Sequence, residues 1–170
     1  MDNNIIFISH YKSPVGKITI ASDGKNLIGL WMEGQTHFET KHKERFVQND
    51  ELKIFDIIKN WLDRYFAGSN PSINNLPIKL VGTDFEVAVW KLLCKIPYGT
   101  TTTYGDIAKQ MAKYLGKEKM SAQAVGGAVG RNPISIIVPC HRVIGSNGKL
   151  VGYVGGLNLK QKLLNIEKTK

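Results

Sequence analysis

Between Gly68 and Pro77 the chain reads Gly-Ser-Asn-Pro-Ser-Ile-Asn-Asn-Leu-Pro, and this stretch limits the possible folds more than any other. Proline removes a backbone donor and pushes the preceding residue out of the helical region, while glycine and asparagine favour turns. Neither a helix nor a central strand runs through such a segment. It reads as a linker, with a domain boundary near residue 80 that separates residues 1–80 from residues 81–170. On its N-terminal side, short apolar alternations predict strands over residues 4–9, 16–21 and 27–32, the last two joined by the turn Ser22-Asp23-Gly24-Lys25. Residues 34–50 are polar and read as a loop with some helix. Leu52, Phe55, Ile58, Leu62 and Tyr65 then recur at helical spacing, predicting a helix from Glu51 to Phe66 packed on the sheet. Ile78 to Val81 is a candidate edge strand. The expectation is an α/β domain, a small antiparallel sheet plus one helix.

Beyond the linker the periodicity turns helical. Thr83-Asp84-Phe85-Glu86 fits a capping box, so a helix should start there and run to about Lys95, where Pro97-Tyr98-Gly99 stops it. Further helices are expected from Tyr104 to about Lys113 and, N-capped by Ser121, from Ala122 to Val129. Two short helices joined by a turn suggest helix-turn-helix. The second is lean, with Ala122, Ala124, Gly126, Gly127, Ala128 and Gly130. Small residues permit close approach, either of a neighbouring helix or of a sugar-phosphate backbone in a minor groove. After Asn132-Pro133, Ile134 to Val138 reads as a strand, Gly145 to Gly148 as a hairpin turn and Leu150 to Val154 as a short strand. A last helix, Asn158 to about Lys168, turns Leu159, Leu163 and Ile166 inward.

The net charge of +9 is unevenly spread: residues 1–80 hold 10 Lys/Arg and 9 Asp/Glu, residues 81–170 hold 13 and 5. A basic half beside a nearly neutral one points to a polyanion such as nucleic acid; the alternative is a lysine-rich solvated face. No segment approaches the roughly 20 apolar residues of a membrane span, and the start of the chain lacks a leader pattern, so a cytoplasmic protein is expected. Two cysteines, Cys94 and Cys140, are too few for a disulfide scaffold or a cysteine-rich zinc site. His10, His37 and His42 have no metal-site spacing and read as surface residues, so no metal is expected. Cys94, among Trp90, Leu92 and Leu93, reads as a small core thiol.

Chemistry concentrates in Ile136-Ile137-Val138-Pro139-Cys140-His141-Arg142-Val143-Ile144. A thiol attacks as thiolate, and an adjacent base or cation favours that form. Neighbours on a strand point to opposite faces, so contact between Cys140 and His141 needs a turn at Pro139 or a bridging water. Taken alone, a cysteine in an apolar run is more often a buried structural thiol.

The order of the remaining motifs is more specific. Asn132-Pro133, then Pro139-Cys140-His141-Arg142-Val143, then Tyr153-x-Gly155-Gly156-Leu157 and a terminal helix bearing Glu167, with Tyr104-Gly105 and Ala124-Val125-Gly126-Gly127-Ala128 upstream, resembles the O6-alkylguanine-DNA alkyltransferases. The strong match covers residues 83–167. The resemblance implies a ribonuclease H-like N-terminal domain and a winged-helix-like C-terminal one. It implies irreversible, single-turnover transfer of an alkyl group from O6-alkylguanine, and from O4-alkylthymine, to Cys140. His141 would deprotonate the thiol through a water, Glu167 would orient the histidine, Tyr104 would donate a proton to the base, and Asn132 would fix the turn beneath the cysteine. Backbone at Val143 and Val154, with Tyr153 and Gly155, would form the base pocket. Gln123, Ala124, Gly126, Gly127 and Arg131 would meet the minor groove of double-stranded DNA and flip the nucleotide out. A monomer without cofactor is implied.

Three differences from family members stand out. Gln123 occupies the place where the family commonly has an arginine that fills the space of the extruded base; glutamine can fill the gap but carries no charge. The turn Tyr114 to Lys119 is longer than in compact relatives, and residues 1–80 lack the cysteines with which some relatives bind zinc.

Overall fold

The structure is a computed structural model and describes residues 4–35, 37–152 and 156–168. Its N-terminal half is a four-stranded sheet backed by a helix. Strands β1 (Ile6–Ser13), β2 (Gly16–Ser22) and β3 (Leu27–Met32) form an antiparallel meander. A short helix α1 (His37–His42) and a 3-10 turn lead into β4 (Phe46–Gln48), which pairs parallel to β1, so the sheet order is β3-β2-β1-β4. The sheet is therefore mixed, where an antiparallel one was expected, and a strand lies within the segment read as loop. Only three residues of β4 pair, too few for period-two alternation to mark them. Helix α2 (Lys53–Phe66) buries the expected Phe55, Ile58, Leu62 and Tyr65 together with Ile54 and Trp61, while Leu52 is its half-buried N-cap.

The edge strand expected at residues 78–81 does not form. Instead the outer edge of β3 is met by two extended pieces of chain. Leu27 exchanges backbone hydrogen bonds with Pro77 and Lys79, and Leu30 with Pro133 and Ser135. Covering an edge this way satisfies its open donors and acceptors and blocks edge-to-edge association. It also ties the segment below Cys140 to the N-terminal sheet.

The second half is mainly helical. Helix α3 (Asp84–Leu93) begins with the expected capping box, Thr83 and Glu86 exchanging side-chain-to-backbone bonds. A two-residue β5 (Thr102–Thr103) leads into α4 (Tyr104–Leu115), whose end is marked by Gly116 at φ 67°, a left-handed conformation that suits glycine. After the turn, α5 (Ala122–Gly130) is capped by the Ser121 hydroxyl, which accepts from the amides of Gln123 and Ala124. Helices α4 and α5 pack on each other as the helix-turn-helix. A 3-10 turn at Cys140–Arg142 precedes β6 (Val143–Ile144), parallel to β5, and α6 (Leu157–Lys168) closes the described chain.

The apolar run before Cys140 is not a strand. Ile134 makes one bridge to Leu30, and the next residues curl into tight turns. The strand expected over Leu150 to Val154 is likewise absent from its described part, residues 150–152. The run before Cys140 is apolar because it is enclosed, and burial alone does not make a strand; Val151 in the second run is 41 % exposed. One continuous buried cluster runs from Ile18 and Leu30 in the sheet through Phe55 and Tyr65 to Trp90, Val138, Cys140 and Leu163. Burial of such side chains is worth about 1.5–3 kcal/mol each.

Candidate active site

The loop that presents Cys140 is built from two three-residue turns. Ile137 N donates to Ser135 O at 2.8 Å around Ile136, whose φ of 71° is the only positive value for a non-glycine residue among those described. A β-branched residue in that region is strained, at a cost of roughly 1–3 kcal/mol. Cys140 N donates to Val138 O at 2.8 Å around Pro139 (φ −82°, ψ 64°), an inverse γ-turn in which proline's fixed φ is already correct. Asn132 clamps the whole loop: its Oδ1 accepts from Ile134 N at 3.0 Å and its Nδ2 donates to Val138 O at 2.9 Å. The chain thus turns at Pro139, and Cys140 opens a 3-10 turn with His141 and Arg142.

Cys140 is 6 % exposed and borders a small crevice with Gln35, Val129, Gly130, Asn132, Ser135 and Gly152. Behind it, His141 and Glu167 are buried. His141 Nε2 lies 2.5 Å from Glu167 Oε2, and Arg142 grips the same carboxylate from Nε at 2.8 Å and Nη2 at 3.1 Å. Tyr65 Oη and Gly99 N add bonds of 2.7 and 3.1 Å. Burial alone would raise the Glu167 carboxyl, but the hydrogen bonds of His141 and Arg142 and the charge of Arg142 outweigh it and hold the group well below the usual carboxylate range. Arg142 supplies the permanent countercharge, and a third donor bond, from Nη1 to Ile96 O at 2.7 Å, holds it in place. His141 is pushed below its ordinary value by burial, which with the fields of Arg142 and Lys160 outweighs the attraction of Glu167, so it is neutral at neutral pH.

These facts determine the tautomer. An ionised carboxylate only accepts, so His141 donates its single proton from Nε2 and leaves a lone pair on Nδ1. Nδ1 is buried and has no hydrogen-bond partner among the described residues. A base is therefore held ready in the same turn as the thiol.

Tyr104, at the start of α4 and near Cys140, donates from Oη to Val151 O at 3.1 Å. Burial, and then the neighbouring Cys140, raise its hydroxyl above the ordinary tyrosine value, so it remains a proton donor. Lys160 of α6 is fully buried. Its Nζ donates to Val143 O at 2.5 Å and Val151 O at 3.1 Å and lies 5.8 Å from the centre of the Tyr104 ring. Cys94 is half-buried, and desolvation pushes its thiol up to about 11, which suits a packing residue.

Cys140, His141, Glu167, Asn132 and Tyr104 thus converge, with Val143 buried beside them. Tyr153, Val154 and Gly155 lie outside the described residues. Along the lean helix, Gln123 and Ala124 are exposed. Arg131, at its end, pairs with Glu86 at 2.5 Å, and its guanidinium lies 3.1 Å from where a Cβ on Gly127 would sit. A Cβ on Gly126 would meet the Tyr104 ring at an ordinary 3.8 Å and one on Gly130 would meet nothing, so internal packing requires neither glycine. Sequence reasoning missed Tyr65, Arg142 and Lys160. The one available signal was in α6, where Leu159, Lys160, Leu163, Leu164 and Glu167 form the buried stripe, turned about one residue from the expected Leu159, Leu163 and Ile166. Among the described residues no group of three His, Cys, Asp or Glu side chains is placed to hold a metal, and no helix is long and apolar enough to cross a membrane.

Fold and site together define a class: a buried thiol backed by a histidine–carboxylate pair, carried on a helix-turn-helix unit and braced by a small α/β sheet. Known proteins of this kind match closely. The family model for the 6-O-methylguanine DNA methyltransferase ribonuclease-like domain matches residues 6–80, and that for the DNA-binding domain matches residues 84–169. The methylated-DNA–protein-cysteine methyltransferase of Haemophilus influenzae is 39 % identical over 169 residues, covering 96 % of this chain and 87 % of the relative. That of Methanosarcina acetivorans is 43 % identical, covering 95 % and 98 %. The crystal structure of Mycobacterium tuberculosis OGT in complex with DNA superposes with a TM-score of 0.83 at 42 % identity, covering 96 % of this chain and 93 % of that one. The chain belongs to the 6-O-methylguanine DNA methyltransferase family.

Proposed function

We propose that this chain repairs alkylated DNA directly, flipping O6-alkylguanine, and O4-alkylthymine, out of the duplex and transferring the alkyl group irreversibly to Cys140. The observation that carries this reading is the His141 lone pair at Nδ1, held by Glu167 in the turn that presents the thiol. The Cys140 proton passes through a water to Nδ1. The thiolate then attacks the alkyl carbon; its bond to sulfur forms as its bond to O6 breaks, and Tyr104 supplies a proton to the departing guanine. Imidazolium and tyrosinate exchange the remaining proton, so the net result is thioether and neutral guanine. Nothing restores the thiol, so each molecule acts once.

In this reading residues 81–170 hold DNA and the acceptor, and residues 1–80 brace them. Gln123, Ala124, Gly126, Gly127 and Arg131 face the minor groove, with Gly126, which internal packing does not require, letting the backbone approach. Gln123 fills the gap left by the base. Val143, Tyr153, Val154 and Gly155 form the base pocket. The protein acts as a cytoplasmic monomer without cofactor or metal. The test is intact-mass analysis after incubation with a duplex bearing O6-methylguanine: one methyl on the Cys140 peptide, at one equivalent per protein, is expected. Unmodified protein refutes alkyl transfer, and turnover beyond one equivalent refutes single use.

A further inference from the structure

Resting on that proposed transfer, we infer that Tyr65, from the N-terminal domain, is a positioning residue that sets the basicity of the proton relay. Tyr65 stands on α2, 102 residues before Glu167, and donates its hydroxyl to Oε2 at 2.7 Å, the same oxygen that receives His141 Nε2 at 2.5 Å. Its ring is buried and held on three sides. Trp61 stacks at 5.4 Å between centroids, while Phe66 and Tyr98 meet it edge-on at 5.2 and 6.1 Å. Burial, then the charge and hydrogen bond of Glu167, keep the phenol protonated, so toward the carboxylate it is always a donor.

Oε2 therefore serves three donors, Tyr65, His141 and Arg142. Each one draws on the same electron density, and what Tyr65 takes is withheld from His141. The groups facing His141 are Glu167 and Lys160 from α6, Arg142 from its own turn, and Tyr65 from α2 through the carboxylate. Removing the phenol leaves Glu167 a stronger acceptor, which favours imidazolium and raises the His141 pKa. Transfer needs neutral His141, so the acid limb of the rate profile moves up in pH. A Tyr65 that merely filled space would lower the rate equally at all pH values.

The experiment compares wild type, Tyr65→Phe and Phe66→Leu, the last disturbing the same packing without touching the carboxylate. Single-turnover transfer from a duplex carrying O6-methylguanine is measured across the acid limb, and His141 is titrated by NMR without DNA. A hydrogen bond to a charged acceptor is worth roughly tenfold or more. If half of this reappears in the His141 bond, limb and titration in Tyr65→Phe rise by about half a pH unit, or about threefold in rate on the limb. Phe66→Leu leaves both in place. An unmoved limb in folded Tyr65→Phe overturns the inference and leaves the proposed function standing. A wild type that transfers nothing overturns the proposed function, and the His141 titration then decides the inference alone. If Tyr65→Phe is too unstable to assay, 3-fluorotyrosine at position 65, a stronger donor of nearly the same shape, should move both readouts down, and no movement overturns the inference.

Discussion

Replacing Glu167 with glutamine keeps its shape and removes its charge, and the structure allows both consequences to be sized. The first is to stability. Arg142, 9 % exposed, loses the carboxylate it grips with two nitrogens. Breaking one side of a buried ion pair costs about 3–5 kcal/mol, a large part of the roughly 5–15 kcal/mol that holds a domain folded. The second is to chemistry. A glutamine amide can turn its NH2 toward Nε2, which drives the His141 proton to Nδ1 and removes the lone pair there that the proposed relay uses. General-base assistance is worth roughly 10²–10⁴ in rate, so Glu167→Gln should transfer at least about a hundredfold more slowly. Urea unfolding measures the first effect. Single-turnover kinetics, run cold to keep the variant folded, measures the second. A folded Glu167→Gln with a rate within about threefold of wild type would refute the assignment of Nδ1 as the base.

Three further outcomes are expected. Asn132→Ala removes two hydrogen bonds from the loop that also carries the strained Ile136, so it should lose about 2–4 kcal/mol in urea unfolding and slow the reaction of Cys140 with iodoacetamide; unchanged stability would mean the clamp is not needed. Lys160→Met should remove a donor from Val143 O, leave Val151 O to Tyr104 Oη, and cost about 1–3 kcal/mol, with transfer slowed at least tenfold; wild-type transfer would show that the buried ammonium is not part of the site. Stability should fall on acidification in two stages. His141, depressed when folded, loses its contribution as pH drops below the unfolded histidine value near 6.5; Glu167, also depressed, loses its own as pH drops from about 4.3 toward its lower folded value. A flat profile of unfolding free energy between neutrality and about pH 5 would contradict a buried neutral His141.

Local signals were legible and distant ones were not. The capping box at Thr83 and Glu86, the Ser121 cap and the apolar stripe of α2 each involve residues within a few turns of one another, and each forms where the spacing placed it. The parallel pairing of β4 with β1 joins residues about forty apart and leaves no periodic trace. The run before Cys140 looked like a strand because enclosure and strand pairing select the same residue types. In the site, Cys140, His141, Asn132, Tyr104 and Glu167 could be identified because their order along the chain is a motif. Tyr65 looked like one more member of an apolar stripe, and its hydroxyl contact lies 102 residues away. Lys160 and Glu167 together turned the inner face of α6 from its expected position, because hydropathy assigns charged residues to water whereas here the site needs them inside.

The covered edge of β3 also bears on the fate of the protein after it has reacted. Cys140 is joined through Val138 and Asn132 to Ile134, and Ile134 to Leu30 in the first sheet, within a core shared by both halves. An alkyl group added to a thiol packed this closely cannot be accommodated by the loop alone, and overfilling a dense core typically costs 1–3 kcal/mol. In the proposed transfer the strain would pass from the loop into the core shared by both halves. After the proposed reaction the protein should melt at a lower temperature and be cut more readily by proteases in both halves; an equal or higher melting temperature would reject this.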